Sequence, residues 1–322
     1  MMRWAGIDEA GYGPNLGPLV MTVVVAEGPA DAPPRLWDDL AATVGRADDP
    51  TNRLWVDDSK RVFKARRGRD RLDATTLAVL DAAGQPAPRT LGGLCAALGA
   101  GTLADVELAP WLDPGRDPGY PPITTRSFAE AAVARCPFAG AGWRVVDVRS
   151  VVVGPARFNA GLAASATGSK AVVHFAAFAE LVGHLLATTP PDRPVAVRGD
   201  KHGGRNFYAE PLRAAFPGAE VVPGAEGPDL SAYQLHAPGR APLALELVPR
   251  ADGDDGLVAL ASIVSKAVRE HWMDAFNRHW AARVPGLQPT AGYPVDARRF
   301  RDAIEPLCNA DGRDPADWWR AK

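Results

Sequence analysis

The sequence predicts an α/β fold: a mixed sheet with helices on both faces, plus a long insertion and C-terminal helices. Three observations carry this. Two apolar segments near the start, residues 4–8 and the Val-rich 19–26, flank a Gly/Pro loop at 11–18 and read as paired strands. From 145 onward, apolar strand-like runs alternate with helical ones, as βαβ units do. Residues 256–283 carry apolar side chains at helical spacing over a length only a long helix uses.

The elements follow in order. Residues 29–50 turn to Pro, Asp and Ala, and 84–125 become Gly/Pro-rich with short apolar pieces such as 91–98, so most of 30–140 reads as an insertion with a few helices. Its core, a Gly/Pro-rich, partly helical segment at about 75–140, is expected to sit within a single domain spanning 1–322. Residues 145–153 form a strand, 159–188 one long Ala-rich helix, 195–199 a short buried strand, 207–216 a helix and 220–222 a strand. A strand at 243–249, the helix at 256–283 and a last helix at 297–307 complete the set. No repeat of solenoid period appears.

Composition narrows the function. With 47% hydrophobic and 23% charged residues in 322, collagenous, disordered and disulfide-scaffold classes are excluded. Lys plus Arg is 36 against 38 Asp plus Glu, a net charge of -2, so a nucleic-acid partner must be argued from local patches. Cys95, Cys136 and Cys308 form no C-x-x-C pair, which points away from a disulfide framework or cysteine zinc site and toward a reducing cytoplasm. The apolar run at 19–26 is too short to span a bilayer and follows an acidic segment. Neither a membrane helix nor a leader peptide is expected.

Carboxylates recur at strand ends. Asp8-Glu9 closes the first strand and enters Ala10-Gly11-Tyr12-Gly13-Pro14; Asp200 closes the strand 195–199 and precedes Lys201-His202-Gly203-Gly204; Asp252-Gly253-Asp254-Asp255 follows the strand 243–249. Brought together on neighbouring strands, they form an all-oxygen site for Mg²⁺ or Mn²⁺, suited to phosphoryl chemistry. The alternative is a set of solvated turn aspartates, which α/β proteins commonly place at strand ends.

Residues 6–20, Gly-Ile-Asp-Glu-Ala-Gly-Tyr-Gly-Pro-Asn-Leu-Gly-Pro-Leu-Val, resemble the opening signature of the type 2 ribonucleases H, the ribonuclease HII and HIII group. Three further segments agree in the family's order. Asp57-Asp58-Ser59-Lys60 is similar to its Asp-Ser-Lys motif, 261–270 (Ala-Ser-Ile-Val-Ser-Lys-Ala-Val-Arg-Glu) to its Ala-Ser-Ile-x-Ala-Lys-Val-x-Arg-Asp helix, and Gly292-Tyr293-Pro294 to its late Gly-Tyr motif. The resemblance implies a ribonuclease-H-like sheet and an endonuclease that hydrolyses the RNA strand of RNA–DNA hybrids with Mg²⁺ or Mn²⁺, leaving 5′-phosphate and 3′-hydroxyl ends. Carried over by motif, Asp8, Glu9, Asp200 and Asp252 are the catalytic, metal-holding carboxylates; Asp254 and Asp255 fall too late and read as the start of the helix, where negative charge meets its dipole. Gly11, Tyr12 and Gly13 occupy the loop that senses the ribose 2′-hydroxyl, Tyr293 packs on the adjoining sugar, and Ser59, Lys60 and Lys266 complete the substrate-binding set.

One departure stands in that loop. The family's Gly-Arg-Gly is here Gly11-Tyr12-Gly13, and tyrosine supplies no charge for a phosphate. The segment 155–159 with Ser169, Lys170 and His174 resembles the HIII branch, although no counterpart of that branch's N-terminal platform domain is expected. The expected partners are an RNA–DNA hybrid or ribonucleotide-containing duplex, with no membrane, no organic cofactor and a monomeric state. Lys60, Arg61, Lys64, Arg66, Arg67, Arg69 and Arg71 cluster behind Ser59; on a helix they span more than one face. Alone they read as a solvated helix, and beside the Asp-Ser-Lys match as phosphate contacts. Arg298, Arg299 and Arg301 form a weaker patch, while Trp272, Trp280, Trp318 and Trp319 read as packing residues rather than base platforms.

Other motifs fail. The glycine spacing at 11–17 is wrong for a dinucleotide fingerprint, Gly168-Ser169-Lys170 lacks the Gly-Lys adjacency of a P-loop, and 252–256 lacks the glutamate of a calcium loop. No histidine pair has zinc spacing. His271 and His279 are expected partly exposed on the long helix, and His202 is read as structural, with a phosphate or water contact as the alternative. Two rival readings of the whole remain: a nuclease of the same fold acting on another nucleic acid, and a catalytically weak nucleic-acid-binding protein.

Overall fold

The computed structural model describes residues 1–49, 51, 53–113, 115–122, 126 and 138–321. β1 (Met2–Ala10) and β2 (Leu19–Gly28) pair antiparallel, with Asp8 opposite Thr22. After the short helix α1 (Leu36–Asp39), β3 (Val44–Gly45) and β4 (Leu54–Trp55) form a separate parallel pair. α2 (Ser59–Lys64), α3 (Gly68–Ala82) and α4 (Leu91–Ala97) follow. β5 (Ala139–Gly140) and β6 (Trp143–Val153) extend the sheet beyond β2. Then come α5 (Pro155–Ala164), α6 (Lys170–Thr188), β7 (Val195–Asp200), α7 (Ala209–Ala215), β8 (Glu220–Glu226), β9 (Ser231–His236), β10 (Leu243–Val248), α8 (Gly256–Arg283) and α9 (Pro294–Ala310). The eight strands run β5-β6-β2-β1-β7-β10-β9-β8, with β7 parallel to both β1 and β10 and the other pairs antiparallel.

Helices cover both faces, as the sequence predicts. β2 is buried along its whole length because its side chains alternate between two cores. Leu19, Met21, Val23 and Val25 join the apolar residues of α5 and α6, whereas Val20, Val24 and Ala26 join those of α8 and α3. α8 lies so close over β1 that a Cβ on Gly6 would stand 2.2 Å from the Leu257–Val258 backbone. Only glycine permits that approach.

Several expectations are corrected. The predicted helix 159–188 is two helices, broken at 165–169 where Gly168 takes a positive φ and the Ser169 hydroxyl accepts from the Ala171 amide as N-cap. The basic segment is likewise two helices, split where Arg67 is left-handed and Gly68 abuts the Phe63 carbonyl. α3 carries no one-sided apolar pattern, because Leu72–Leu80 are all buried. β9 is a strand that the sequence does not predict: its buried Ser231, Tyr233 and Leu235 alternate over only six residues. Within the insertion, Leu94, Leu98, Val106, Trp111 and Tyr120 pack into the same core as α8. α6 is long and apolar enough to cross a bilayer by length and composition; here its Val173, Phe178, Leu181 and Leu185 pack on the sheet. Cys95 and Cys308 are free and buried, and Cys136, like most of 123–137 in the insertion, lies outside the described residues.

Candidate active site

The strand order decides where the carboxylates fall. β1 and β7 are parallel neighbours in register Ile7 to Gly199, so Asp8 and Asp200 emerge side by side at the same end of the sheet. β10 lies against β7 with Val248 beside Asp200, and the chain leaving β10 turns through left-handed Arg250 into the short 3-10 turn Ala251–Gly253. That turn is fastened to its neighbour: the Arg250 amide donates to Asp200 Oδ1 at 2.7 Å, beside the Lys201 amide at 2.8 Å. Asp252 is thereby held near Asp200, whose charge it feels.

Electrostatics tie the group together. Asp8, 8% exposed, has its pKa pushed well above the ordinary aspartate range by burial, then by the charges of Glu9 and Asp252, with the Ser262 hydroxyl of α8 offsetting part. Asp200 is raised by burial, against the pull of its backbone donors, and Asp252 by burial and the charges of Asp58 and Asp200. Glu9 runs the other way. Burial pushes its pKa up, but the hydrogen bond and charge of His174, at 3.2 Å from Oε2, and the charge of Lys60 bring it down. Asp8, Glu9, Asp200 and Asp252 therefore share one region of mutual repulsion, with Asp58 and Lys60 at its margin.

This donor set fits a hard dication: oxygen ligands only, three of them destabilised as anions by burial and by each other. Among the described residues no three His, Cys, Asp or Glu side chains stand at metal-ligand spacing, so the carboxylates adjoin without closing on one point. A cavity of about 760 Å³ lies elsewhere, between α8 and the insertion, lined by Trp111, Asp113, His271 and Arg278; none of the four carboxylates lines it.

The glycine loop borders the cluster. Gly11 has φ +92, and a Cβ there would stand 2.4 Å from the Pro18 carbonyl and 2.6 Å from Arg269 Nε, so the fold itself requires this glycine. Gly13 is different: it is exposed, and nothing lies within 4 Å of its notional Cβ. Gly292 approaches the loop from the other side, its carbonyl accepting from the Asn15 amide at 2.8 Å, which sets Tyr293, 47% exposed, next to the loop. Tyr12 lays its ring edge-on to His174 at 4.9 Å, and His174 meets His202 at 4.3 Å. His202 is buried, which favours its structural reading over a substrate contact.

The remaining residues divide. Ser59 is buried, its hydroxyl hydrogen-bonded to that of Ser262 at 3.0 Å, joining α2 to α8 under Asp8. Lys60 is exposed and acts on Glu9 and Asp252. Lys266 is engaged by Glu270 at 2.6 Å and lies over the Phe63 ring, so its charge is compensated within the protein. In the basic cluster, Arg69 pairs with Glu270 and Asp274, Arg61 with Asp57, and Arg71 stacks on Trp55; Lys60, Lys64 and Arg66 are the exposed cations there without an ion pair among the described residues. Arg299 and Arg301 pair with Asp296 and Glu305. Asp254 is exposed, while Asp255 caps α8 by accepting from the Leu257 and Val258 amides. His271 is buried against Asp73 at 2.7 Å instead of partly exposed. Trp272, Trp280 and Trp318 are core residues and Trp319 packs against them.

Three residues near the cluster were not assigned a site role from the sequence. Asp58 was visible inside the Asp-Ser-Lys segment, and His174 in the segment resembling the HIII branch. Arg320 gave no signal at all. It is fully buried; Nη1 donates to the Gly11 carbonyl at 2.6 Å and Nη2 to the Tyr12 carbonyl at 3.0 Å, with the guanidinium 3.9 Å from the Phe158 ring centre.

No protein-family model matches the sequence, and no curated protein matches it. Among solved structures the chain is similar to the ribonuclease HII of Archaeoglobus fulgidus in its PCNA complex, at 17% identity over 100% of this chain and 95% of that one, with a TM-score of 0.43. It is also similar to ribonuclease H2 from Pyrococcus horikoshii OT3, at 16% identity over 98% and 92%, TM-score 0.40. Bst-RNase HIII in complex with Mn²⁺ matches at 14% identity over 99% of this chain and 66% of that one, TM-score 0.40.

Proposed function

We propose that the protein is a metal-dependent endonuclease that hydrolyses the RNA strand of RNA–DNA hybrids. One observation carries the reading: Asp8, Glu9, Asp200 and Asp252 converge electrostatically at the ends of three adjacent strands, beside a loop that exposes Gly13 and has the exposed Tyr293 next to it. The four ordered sequence motifs supply the substrate class.

Asp8, Glu9, Asp200 and Asp252 would hold Mg²⁺ or Mn²⁺, with Glu9 held in place by His174. Bound there, the ions supply a nucleophilic water and neutralise charge on the leaving oxygen. The chain's own residues do the rest. The carboxylates orient the water in line with the scissile bond; attack forms one P–O bond and breaks P–O3′, and the 3′ oxygen takes up a proton, leaving 5′-phosphate and 3′-hydroxyl ends. Lys60, Lys64 and Arg66 offer charge to the phosphate backbone, and Gly13 lets a sugar approach the loop.

The test is hydrolysis of a labelled RNA–DNA hybrid, duplex DNA and duplex RNA side by side in Mg²⁺, Mn²⁺ and EDTA. Metal-dependent cutting of the hybrid's RNA strand alone supports the proposal. Cutting of another substrate favours a different nuclease of this fold, and binding without cutting a nucleic-acid-binding protein.

A further inference from the structure

Gly11-Tyr12-Gly13 lacks the cation that its sequence pattern leads one to expect, yet a cation lies directly beneath it. Arg320 is fully buried near the C-terminus, and no carboxylate pairs with it among the described residues. A buried charge without a counter-ion is costly, so its compensation has to come from dipoles. Here these are backbone carbonyls: Gly11 at 2.6 Å, Tyr12 at 3.0 Å and, more distantly, Gly17 at 3.5 Å. Burial, then repulsion from Arg269, push its pKa down to about 9, which leaves it charged at neutral pH.

The segment is locked in place. The Arg320 amide donates to the Asn15 carbonyl at 2.8 Å, and Asn15 Nδ2 returns a bond to the Arg320 carbonyl at 3.1 Å. Asn159 clamps the flanks through the Trp319 carbonyl at 2.8 Å and the Ala321 amide at 2.8 Å.

Peptide planarity gives this grip a consequence. In a trans peptide the C=O and N–H point in opposite directions. An arginine that holds the carbonyls of Gly11 and Tyr12 inward turns the amides of Tyr12 and Gly13 outward. Neither amide donates to a group among the described residues. We propose that Arg320 is a positioning residue that aims the Tyr12 and Gly13 amides, as a pair of polarised donors, at an oxygen of the substrate's sugar–phosphate backbone. The fork geometry matters as well as the charge, because one guanidinium spans two carbonyls and an ammonium does not. This rests on the nuclease reading for its ligand, not for the grip itself.

The experiment compares the wild-type protein with Arg320→Met and Arg320→Lys on two readouts. The first is ¹⁵N relaxation of the Tyr12 and Gly13 amides without substrate; the second is KM and kcat for the hybrid. In Arg320→Met the two amides become mobile while β1 stays rigid, and KM rises on the order of tenfold with kcat changed much less, since ground-state contacts are lost and the carboxylates are untouched. Arg320→Lys, the milder change, falls between. Unchanged amide relaxation in both variants overturns the proposal, as does loosening without any rise in KM. If the wild-type protein cuts no hybrid, the nuclease reading fails, and relaxation alone decides whether Arg320 positions the loop.

Discussion

His174 Nε2 stands 3.2 Å from Glu9 Oε2, and the same imidazole meets the edge of Tyr12. One side chain of α6 thus touches both a carboxylate of the proposed metal cluster and the glycine loop. A partner of this kind fixes the orientation of the group it holds, and its loss costs roughly 10- to 100-fold in activity or metal affinity. His174→Ala is expected to lower hybrid cleavage by about that factor. His174→Gln, which keeps a donor near Nε2, should recover part of it. Steady-state rates at saturating Mn²⁺ and Mn²⁺ titrations of each variant check this, and equal loss in both variants would mean that the hydrogen bond is not what matters.

The buried carboxylates set a pH dependence of stability. Asp8 is raised well above 3.8 by burial and then by its charged neighbours, and Asp200 and Asp252 are raised in the same direction. Such groups bind protons more tightly folded than unfolded, so their stabilising contribution is full below 3.8 and is lost as pH climbs through the folded values. Lowered Glu9 opposes this in part. Asp8→Asn should therefore melt higher than the wild type at pH 8 in EDTA, with the gap closing toward acid, while cleavage falls on the order of 10³-fold or more. Thermal melts across pH read the first effect; a variant less stable at every pH would contradict it.

Two glycines separate fold from function. Gly6→Ala drives a methyl into the α8 backbone, where the notional contact is 2.2 Å, and should destabilise by about 3 kcal/mol. Gly13→Ala meets nothing within 4 Å and should leave stability unchanged while weakening hybrid cleavage about tenfold, if a sugar must approach there. Denaturant melts and kcat/KM on the same preparations distinguish the two.

Tyr12 bears on which ribonucleotide-containing duplex is preferred. Without an arginine in the loop, a run of ribonucleotides, which offers several registers, should be cut in preference to a single embedded one. Tyr12→Arg should raise kcat/KM on the single-ribonucleotide duplex more than on the long hybrid. Both substrates are compared at one salt concentration, because phosphate contacts are salt-dependent. A ratio that does not move removes Tyr12 from the discriminating position.

Legibility followed how locally each feature is encoded. β1, β2 and α8 announced themselves through uninterrupted patterns, and α8 runs over Gly256–Arg283 as the spacing predicted. The strand ends at 195–199 and 243–249 marked Asp200 and the Asp252–Asp255 cluster as candidates, and only the resemblance to the type 2 ribonucleases H singled out Asp252 within that cluster. That β7 is the direct neighbour of β1 is a matter of topology, and no local pattern states it. The break at Gly168 was legible in Ser-Ala-Thr-Gly-Ser but was outweighed by the alanines around it. Arg320 was hidden for a different reason: its partners are carbonyls of Gly11 and Tyr12, about 300 residues away in sequence, and backbone atoms leave no residue-type signature.

The most direct measurement is the anomalous difference density of a crystal of the protein equilibrated with Mn²⁺. The account predicts a peak bounded by Asp8, Glu9, Asp200 and Asp252, at oxygen distances of roughly 2.0 to 2.6 Å, and its loss in Asp200→Asn. A Mn²⁺ peak at saturation that avoids these carboxylates, or one that persists unchanged in Asp200→Asn, would contradict it.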